Sequence, residues 1–184
     1  DGNASMYLGS PRMAEMVIGE KVDLEQMGGA KMHAKVSGCA DVVVATEDEA
    51  ISWAQRYLGY FPDNADGLPP RAAPKSPKAD TRTLVDVVVP DENKPFDMRQ
   101  VLEAIVDEGS LLELKERFAR ELITTLARID GQAVAIIANQ PAVLGGVLFV
   151  DSADKAARFI MLADAFGIPL LFLADVPGFM IGSK

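Results

Sequence analysis

Cysteine and histidine are almost missing from this sequence. Its 184 residues include one of each, Cys39 and His33. A single cysteine allows no internal disulfide framework. No CxxC, HExxH or EF-hand spacing occurs, so no metal is expected, and there is no Walker or GxGxxG fingerprint. A Ser-His-Asp triad would have to use His33, yet no GxSxG elbow is present. Positive charge is also short: 18 Lys and Arg stand against 27 Asp and Glu, a formal net charge of −9. That argues against a general affinity for nucleic acid, whose phosphates need a basic face, and leaves room for a local basic patch toward one phosphorylated ligand. No apolar run approaches the roughly 18 residues of a spanning helix, and no signal-peptide pattern opens the chain. No membrane is therefore expected, and a cytoplasmic protein is the default.

Apolar residues and glycine are what the chain has in supply. Apolar types make up 49 % of it, enough for a substantial core in one domain or parts of two. Two structured blocks and a linker can be read. In the first block, residues 1–61, Pro11 opens a short helix over 11–18 and Gly19 ends it. Asp23 caps a turn through Met27, which Gly28 and Gly29 break. The β-branched run from Asp41 to Ala45 predicts a strand. Thr46, with Glu49 three residues on, is a capping box. The helix it starts, over about 47–60, places Ala50, Trp53, Ala54, Tyr57 and Leu58 on one face. Cys39, between Gly38 and the expected strand, reads as a small buried residue.

Residues 62–82 hold Pro62, Pro69, Pro70, Pro74 and Pro77 and few large apolar groups, which predicts an extended linker with no core of its own. In the second block, 83–184, Asp97 caps a helix over about 98–107 that buries Val101, Leu102, Ile105 and Val106. The stretch 111–130 passes equally as one amphipathic helix or as two strands. QAVAIIAN, 132–139, is a buried strand. Residues 152–166 are a helix with Ala156, Phe159, Ile160 and Ala163 on its apolar side, and Gly167 is its C′ residue. Residues 170–176 form the next buried strand, running into PGFMIG. Strand, helix, strand with short links implies a right-handed parallel crossover, and so an α/β fold. The chain opens on Asp1 without a cap or an apolar run and stops just past a glycine turn, so it reads as a piece of a longer polypeptide.

With so few reactive side chains, catalysis would fall to backbone groups. A pair of N–H groups can stabilise a developing oxyanion, and glycine lets a chain approach it closely. Three places qualify: Gly28-Gly29, Gly145-Gly146, and Pro177-Gly178-Phe179 with Gly182. Each also reads as an ordinary turn.

The stretch DKAARFIMLADAFGIPLLFLADVPGFMIG, 154–182, resembles the opening of the C-terminal domain in the carboxyltransferase (β) subunit of biotin-dependent acyl-CoA carboxylases, the propionyl- and acetyl-CoA carboxylase type. ARIDGQAVAIIANQP, 127–141, is similar to the strand pair leading into it. GEKVDLEQMGGAKMHAKVSGCADVV, 19–43, resembles the end of that family's N-terminal domain. The resemblance implies a crotonase/ClpP-like carboxyltransferase fold, with parts of two tandem domains: the end of the acyl-CoA-binding domain in 1–61 and the start of the biotin-binding domain in 83–184. It implies transfer of CO2 from carboxybiotin to the α-carbon of a short-chain acyl-CoA, with biotin carried by a partner. Biotin carboxylase and biotin carrier subunits would be partners, in a homo-oligomer, in the cytoplasm or, in a eukaryote, the mitochondrial matrix. Gly178 and Phe179 match the VPGF turn beside the biotin ring, where the Phe179 carbonyl would accept from a ureido N–H. Asn139 and Gln140 end a strand at the same edge. Gly28, Gly29 and His33 match the GGAxxH segment on the acyl-CoA side, with His33 also readable as a satisfied structural histidine. Arg12, Lys31 and Lys35 are candidates for CoA phosphates. The family's two glycine-rich oxyanion loops lie upstream of GGAxxH and downstream of PGF, outside 1–184, so this piece alone is expected to be inactive. Two other readings are the carboxyltransferase of a biotin-dependent decarboxylase and an inert assembly element.

Overall fold

The stretch that reads two ways, 111–130, folds as strands. In the computed structural model, which describes residues 2, 4–64, 66–88, 91 and 94–182, β1 (Leu112–Leu114) pairs antiparallel with β2 (Leu122–Ile129). The exposed charges of this stretch, Glu116, Arg117 and Arg120, lie in the turn between the strands. The β-branched Ile123, Thr124 and Thr125 lie in β2, which is buried on both faces from Leu122 to Ala127. Branched side chains suit a pleated surface, and burial of both faces leaves no polar side for an amphipathic helix. β3 (Gln132–Asn139) returns antiparallel to β2 through the turn at Asp130 and Gly131. Both turn residues have positive φ, 52° and 73°, the geometry of a two-residue hairpin loop. The Asp107 carboxylate accepts from the amides of Asp130 (3.0 Å) and Gly131 (2.8 Å) and fixes that turn.

β4 (Leu170–Leu173) lies parallel to β3, and the sheet order is β1-β2-β3-β4. The crossover is the helix that we number α7 (Val150–Ala165), as expected. Its Phe159 and Ala163 pack with Leu122, Leu126, Ala135 and Ile137 on one face of the sheet. On the other face α6 (Met98–Ile105) supplies Met98 and Leu102 against Ile123, Ala127, Ile136 and Ala138. β4 is shorter than 170–176 and is not buried: Leu170 is 36 % and Phe172 56 % exposed. It ends the sheet, and one of its sides has no neighbour among the described residues.

The first block is helical. α1 (Pro11–Ile18) ends at Gly19 in the left-handed conformation, and α2 (Leu24–Gly28) carries a capping box from Asp23. α3 (Ala30–Lys35) follows at once, so the two glycines mark a corner between helices. α4 (Glu47–Leu58) has the expected Thr46–Glu49 box. Of its predicted face, Trp53 and Tyr57 pack against the core, and Ala50, Ala54 and Leu58 stay exposed. The strand expected at Asp41–Ala45 does not form, because no strand of the sheet lies beside it. Cys39 is exposed rather than buried, since it caps no packed element and faces a hollow. At the start of the second block, after the short turn Thr81–Thr83, comes a one-turn helix, α5 (Leu84–Val87).

The proline-rich linker is extended and pinned. Ala72 donates its amide to the Gly131 carbonyl (2.9 Å), Glu108 to Ser76 (3.3 Å) and Ala79 to Glu103 (3.2 Å). Arg128 closes the join: its guanidinium donates to the carbonyls of Pro70 (2.6 Å), Gly131 (3.0 Å) and Gly59 (2.8 Å). It also sits 4.9 Å above the Tyr60 ring, a cation–π contact. Tyr60 in turn donates its hydroxyl to the Ser110 carbonyl.

Candidate functional site

The residues singled out in the sequence gather at two separate places. The first lies past the carboxyl ends of β3 and β4, where α/β proteins hold ligands. Asn139 ends β3 and is buried. Its Nδ2 donates to the Gly146 carbonyl (2.9 Å), and its Oδ1 accepts from the Asp175 amide (3.3 Å). It therefore ties the turn Leu144–Gly146 to the segment leaving β4, and its amide group is spent on main-chain partners. A Cβ on Gly146 would come within 3.0 Å of the Asp175 carbonyl, so the two segments touch.

Leu148 and Phe179 then form a parallel bridge. The Leu148 amide donates to the Gly178 carbonyl (3.1 Å), and the Met180 amide donates to the Leu148 carbonyl (2.8 Å). These bonds use the groups on either side of Phe179. The Phe179 amide and carbonyl take no hydrogen bond among the described residues, and the residue is 71 % exposed. Phe179 is thus an open apolar platform beside a free donor and acceptor, not a core residue. Gln140 does not join this group. Its Nε2 donates to Asp97 (2.6 Å) and its Oε1 accepts from the Met98 amide (3.1 Å), so it caps α6.

The second place is in the first block. The Met6 amide donates to the Gly28 carbonyl (2.8 Å). A Cβ on Gly28 would lie 2.3 Å from the Met6 carbonyl oxygen, a contact that only glycine escapes. His33 closes the same corner: Nε2 lies 2.6 Å from the Met6 carbonyl and Nδ1 2.7 Å from Ser37 Oγ. A carbonyl can only accept, so Nε2 carries a proton, and in the neutral ring the Ser37 hydroxyl donates to Nδ1. Gly28 and His33, with Met6, Cys39, Val43 and Ala50, line an apolar hollow of about 630 Å³. Gly29 does not line it; the Glu25 carboxylate lies over Gly29 and accepts from the Lys31 amide (2.9 Å). Arg12, Lys31 and Lys35 are exposed and do not line it either.

A residue that was not singled out in the sequence sits between the two places. Lys155, on α7, is 2 % exposed, and its ammonium donates to the carbonyls of Lys115 (3.0 Å), Phe118 (2.8 Å), Ala119 (3.3 Å) and Leu122 (2.6 Å). Burial pushes its pKa down to about 8, against the pull of Glu113 and Glu121. The signal was there: Lys155 shares its helix face with Ser152 and Phe159, at spacings of three and four. Among the described residues no group of His, Cys, Asp and Glu could hold a metal, and no helix is long and apolar enough to cross a membrane.

A model of the carboxyl transferase domain matches residues 1–184. A Bacillus subtilis (strain 168) protein named as an uncharacterized carboxylase, YngE, is 61 % identical over 184 residues, which is 100 % of this chain and 36 % of that protein. The propionyl-CoA carboxylase beta chain of Saccharopolyspora erythraea is 38 % identical over 100 % of this chain and 35 % of its own length. The methylmalonyl-CoA decarboxylase subunit alpha of Veillonella parvula is 38 % identical over 98 % and 36 %. In structure, the transcarboxylase 12S subunit, described as a hexamer with methylmalonyl-coenzyme A and methylmalonic acid bound, matches with a TM-score of 0.91 at 38 % identity. That match covers 97 % of this chain and 34 % of the other. The chain thus spans about a third of the length of the curated relatives it matches, and it has their crotonase-like carboxyltransferase fold.

Proposed function

This chain belongs to the carboxyl transferase domain family, and on that premise we propose that the protein moves CO2 between carboxybiotin and the α-carbon of a short-chain acyl-CoA. The observation that carries the reading is Phe179, held open past β3 and β4 with its amide and carbonyl unengaged among the described residues. A biotin ring presents one edge with a ureido N–H and C=O, and its faces are apolar. An open main-chain acceptor and donor beside an exposed ring fit that group. When bound, carboxybiotin supplies the CO2, and its ureido nitrogen can take up the α-proton. This chain's part there is orientation: Gly178 and Phe179 meet the ring, and Asn139 holds the turn behind them.

The hollow beside Gly28 and His33 is the half that takes the acyl-CoA in this reading. With both ring nitrogens engaged, His33 acts as a brace for Met6 rather than as a base. Residues 1–61 are then the end of the acyl-CoA domain and 83–184 the start of the biotin domain, joined by 62–82. The partners are a biotin carrier with its biotin carboxylase and further copies of the subunit, in the cytoplasm. The carboxylase direction is favoured because the relative at 61 % identity is named a carboxylase. Relatives at 38 % named as methylmalonyl-CoA decarboxylase subunits support the reverse direction as a second reading.

The test is run backwards on the complete subunit. Methylmalonyl-CoA or malonyl-CoA labelled in the free carboxyl group is mixed with free biotin, and label on biotin is counted. Transfer is expected with at least one of the two thioesters. No transfer with either, from a folded protein, would leave only the inert assembly role.

A further inference from the structure

We infer that Lys155 is a positioning residue: from inside the biotin-side block, its ammonium holds the loop 115–121 rigid, and that loop sets the rim of the hollow at Gly38–Asp41. The inference rests on the proposed reading of that hollow as the acyl-CoA half.

The chain of contacts is continuous. Lys115 and Ala119 adopt left-handed backbone angles, φ 55° and 44°, which are unfavourable for residues with side chains. Both turn their carbonyls to the Lys155 ammonium, along with Phe118 and Leu122. An ammonium has three protons, so four carbonyls make a fully occupied cage with one bond shared. The outer side of the same loop grips the first block. The Lys115 amide donates to the Asp41 carbonyl (2.9 Å). Lys115 Nζ donates to the Gly38 carbonyl (2.5 Å) and pairs with the Asp41 carboxylate (2.9 Å). The Phe118 ring lies on Gly38 so closely that a Cβ there would come within 2.7 Å of it. Cys39 and Ala40, between these two anchors, line the hollow. At the loop's other end Leu122 pairs in register with Asn139, which clamps the turn behind Phe179. One ammonium therefore ties both half-sites of a subunit to a common frame.

The experiment uses the complete subunit with Lys155→Met, which keeps the stem and removes the ammonium. Lys115→Met is the second variant. It removes the two Nζ contacts to the rim, at Gly38 and Asp41, and leaves the cage intact, so it covers the case in which Lys155→Met does not fold. Peptide-resolved hydrogen exchange is expected to speed up about tenfold or more at residues 36–45, with α7 still protected. The KM for acyl-CoA is expected to rise about fivefold or more, with kcat changed less than about twofold, the mark of lost binding rather than lost chemistry. The two substitutions together should do little more than either alone, since they cut one path. Unchanged exchange at 36–45 in both variants would overturn the inference, whatever the activity. So would equal acceleration throughout the subunit, or additive effects on KM. If the unaltered subunit binds no CoA thioester while exchange at 36–45 still responds to both variants, the acyl-CoA reading of the hollow falls and the mechanical link stands.

Discussion

Lys155 is buried and its ammonium ends among four carbonyl oxygens. Its pKa is about 8 in the folded protein and near the ordinary 10.5 in the unfolded chain. Between those values the unfolded chain holds more protons, so this group's contribution to stability rises with pH through the window. Urea unfolding of the protein and of Lys155→Met at pH 7, 8, 9 and 10 should show the unaltered protein gaining on the variant by at most about 1.4 kcal/mol per pH unit above pH 8. At pH 7 the variant leaves the caged carbonyls unpaired and should cost about 3 kcal/mol. Asn139 poses a similar question at the end of β3. Asn139→Ala strands the Gly146 carbonyl and the Asp175 amide and should cost about 2 kcal/mol. Asn139→Asp restores the bond to the Asp175 amide but sets a carboxylate against the Gly146 carbonyl. It should lower the melting temperature at least as much and depress transfer to biotin in the labelled-thioester assay.

Among the elements, the hairpin β2-β3 is the most tightly specified. Gly131 has φ 73°, and a Cβ there would lie 2.1 Å from the Ala72 carbonyl. Gly131→Ala should therefore cost about 3 kcal/mol, from backbone and overlap together, read by thermal unfolding. Thr46→Ala should cost only about 1 kcal/mol, the usual loss of one N-cap. These elements differ in how legibly they were written. α1, opened by Pro11 and ended by Gly19, and α4, started by its Thr46–Glu49 box, could be read because their signals are local. So could the β3-α7-β4 crossover, whose apolar periods change from two to 3.6. The run Val42-Val43-Val44 could not, because a strand needs a partner and local pattern cannot say whether one lies alongside. The 111–130 stretch was decided by burial on both faces, which is tertiary. At the candidate site, Gly28, His33, Gly178 and Phe179 were picked out through motif, and Asn139 through its place at the end of a strand. Lys155 was missed because a lysine on an apolar helix face reads as a snorkelling side chain until its carbonyl cage is seen.

At the scale of the molecule, the two blocks are joined by contacts of different kinds. The rings of Trp53, Tyr57, Phe61 and Phe166 touch in sequence, stacked, tilted and edge-on, with centroids 5.4, 4.7 and 4.8 Å apart, and carry the end of α4 onto the end of α7. Arg128 bonds one residue of the first block, one of the linker and one of the hairpin. Lysine could not span all three, since it lacks the planar fork. Arg128→Ala and Arg128→Lys should both free the linker. Limited trypsin digestion should then cut after Arg71, Lys75 and Lys78 severalfold faster than in the unaltered protein, while Lys155→Met leaves those sites slow. Equal cutting in all forms would mean that the main-chain bonds alone hold the linker. The uncovered side of β4 belongs to this scale too: unpaired strand edges recruit neighbours, so the 1–184 chain expressed alone should associate, which light scattering would report.

The pinned linker also bears on descent. A proline-rich stretch between two blocks is where insertions and deletions ordinarily accumulate without harm. Here the main chain is fastened at Ala72, at Ser76 and at Ala79, each to a different part of the second block. Adding or dropping one residue between the first two fasteners would shift every later one out of step. Sequence identity along residues 72–79 can therefore drift freely across lineages, but their number cannot. A lineage in which that spacing has changed should also differ in the segments around Glu103 and Glu108, which hold the later fasteners.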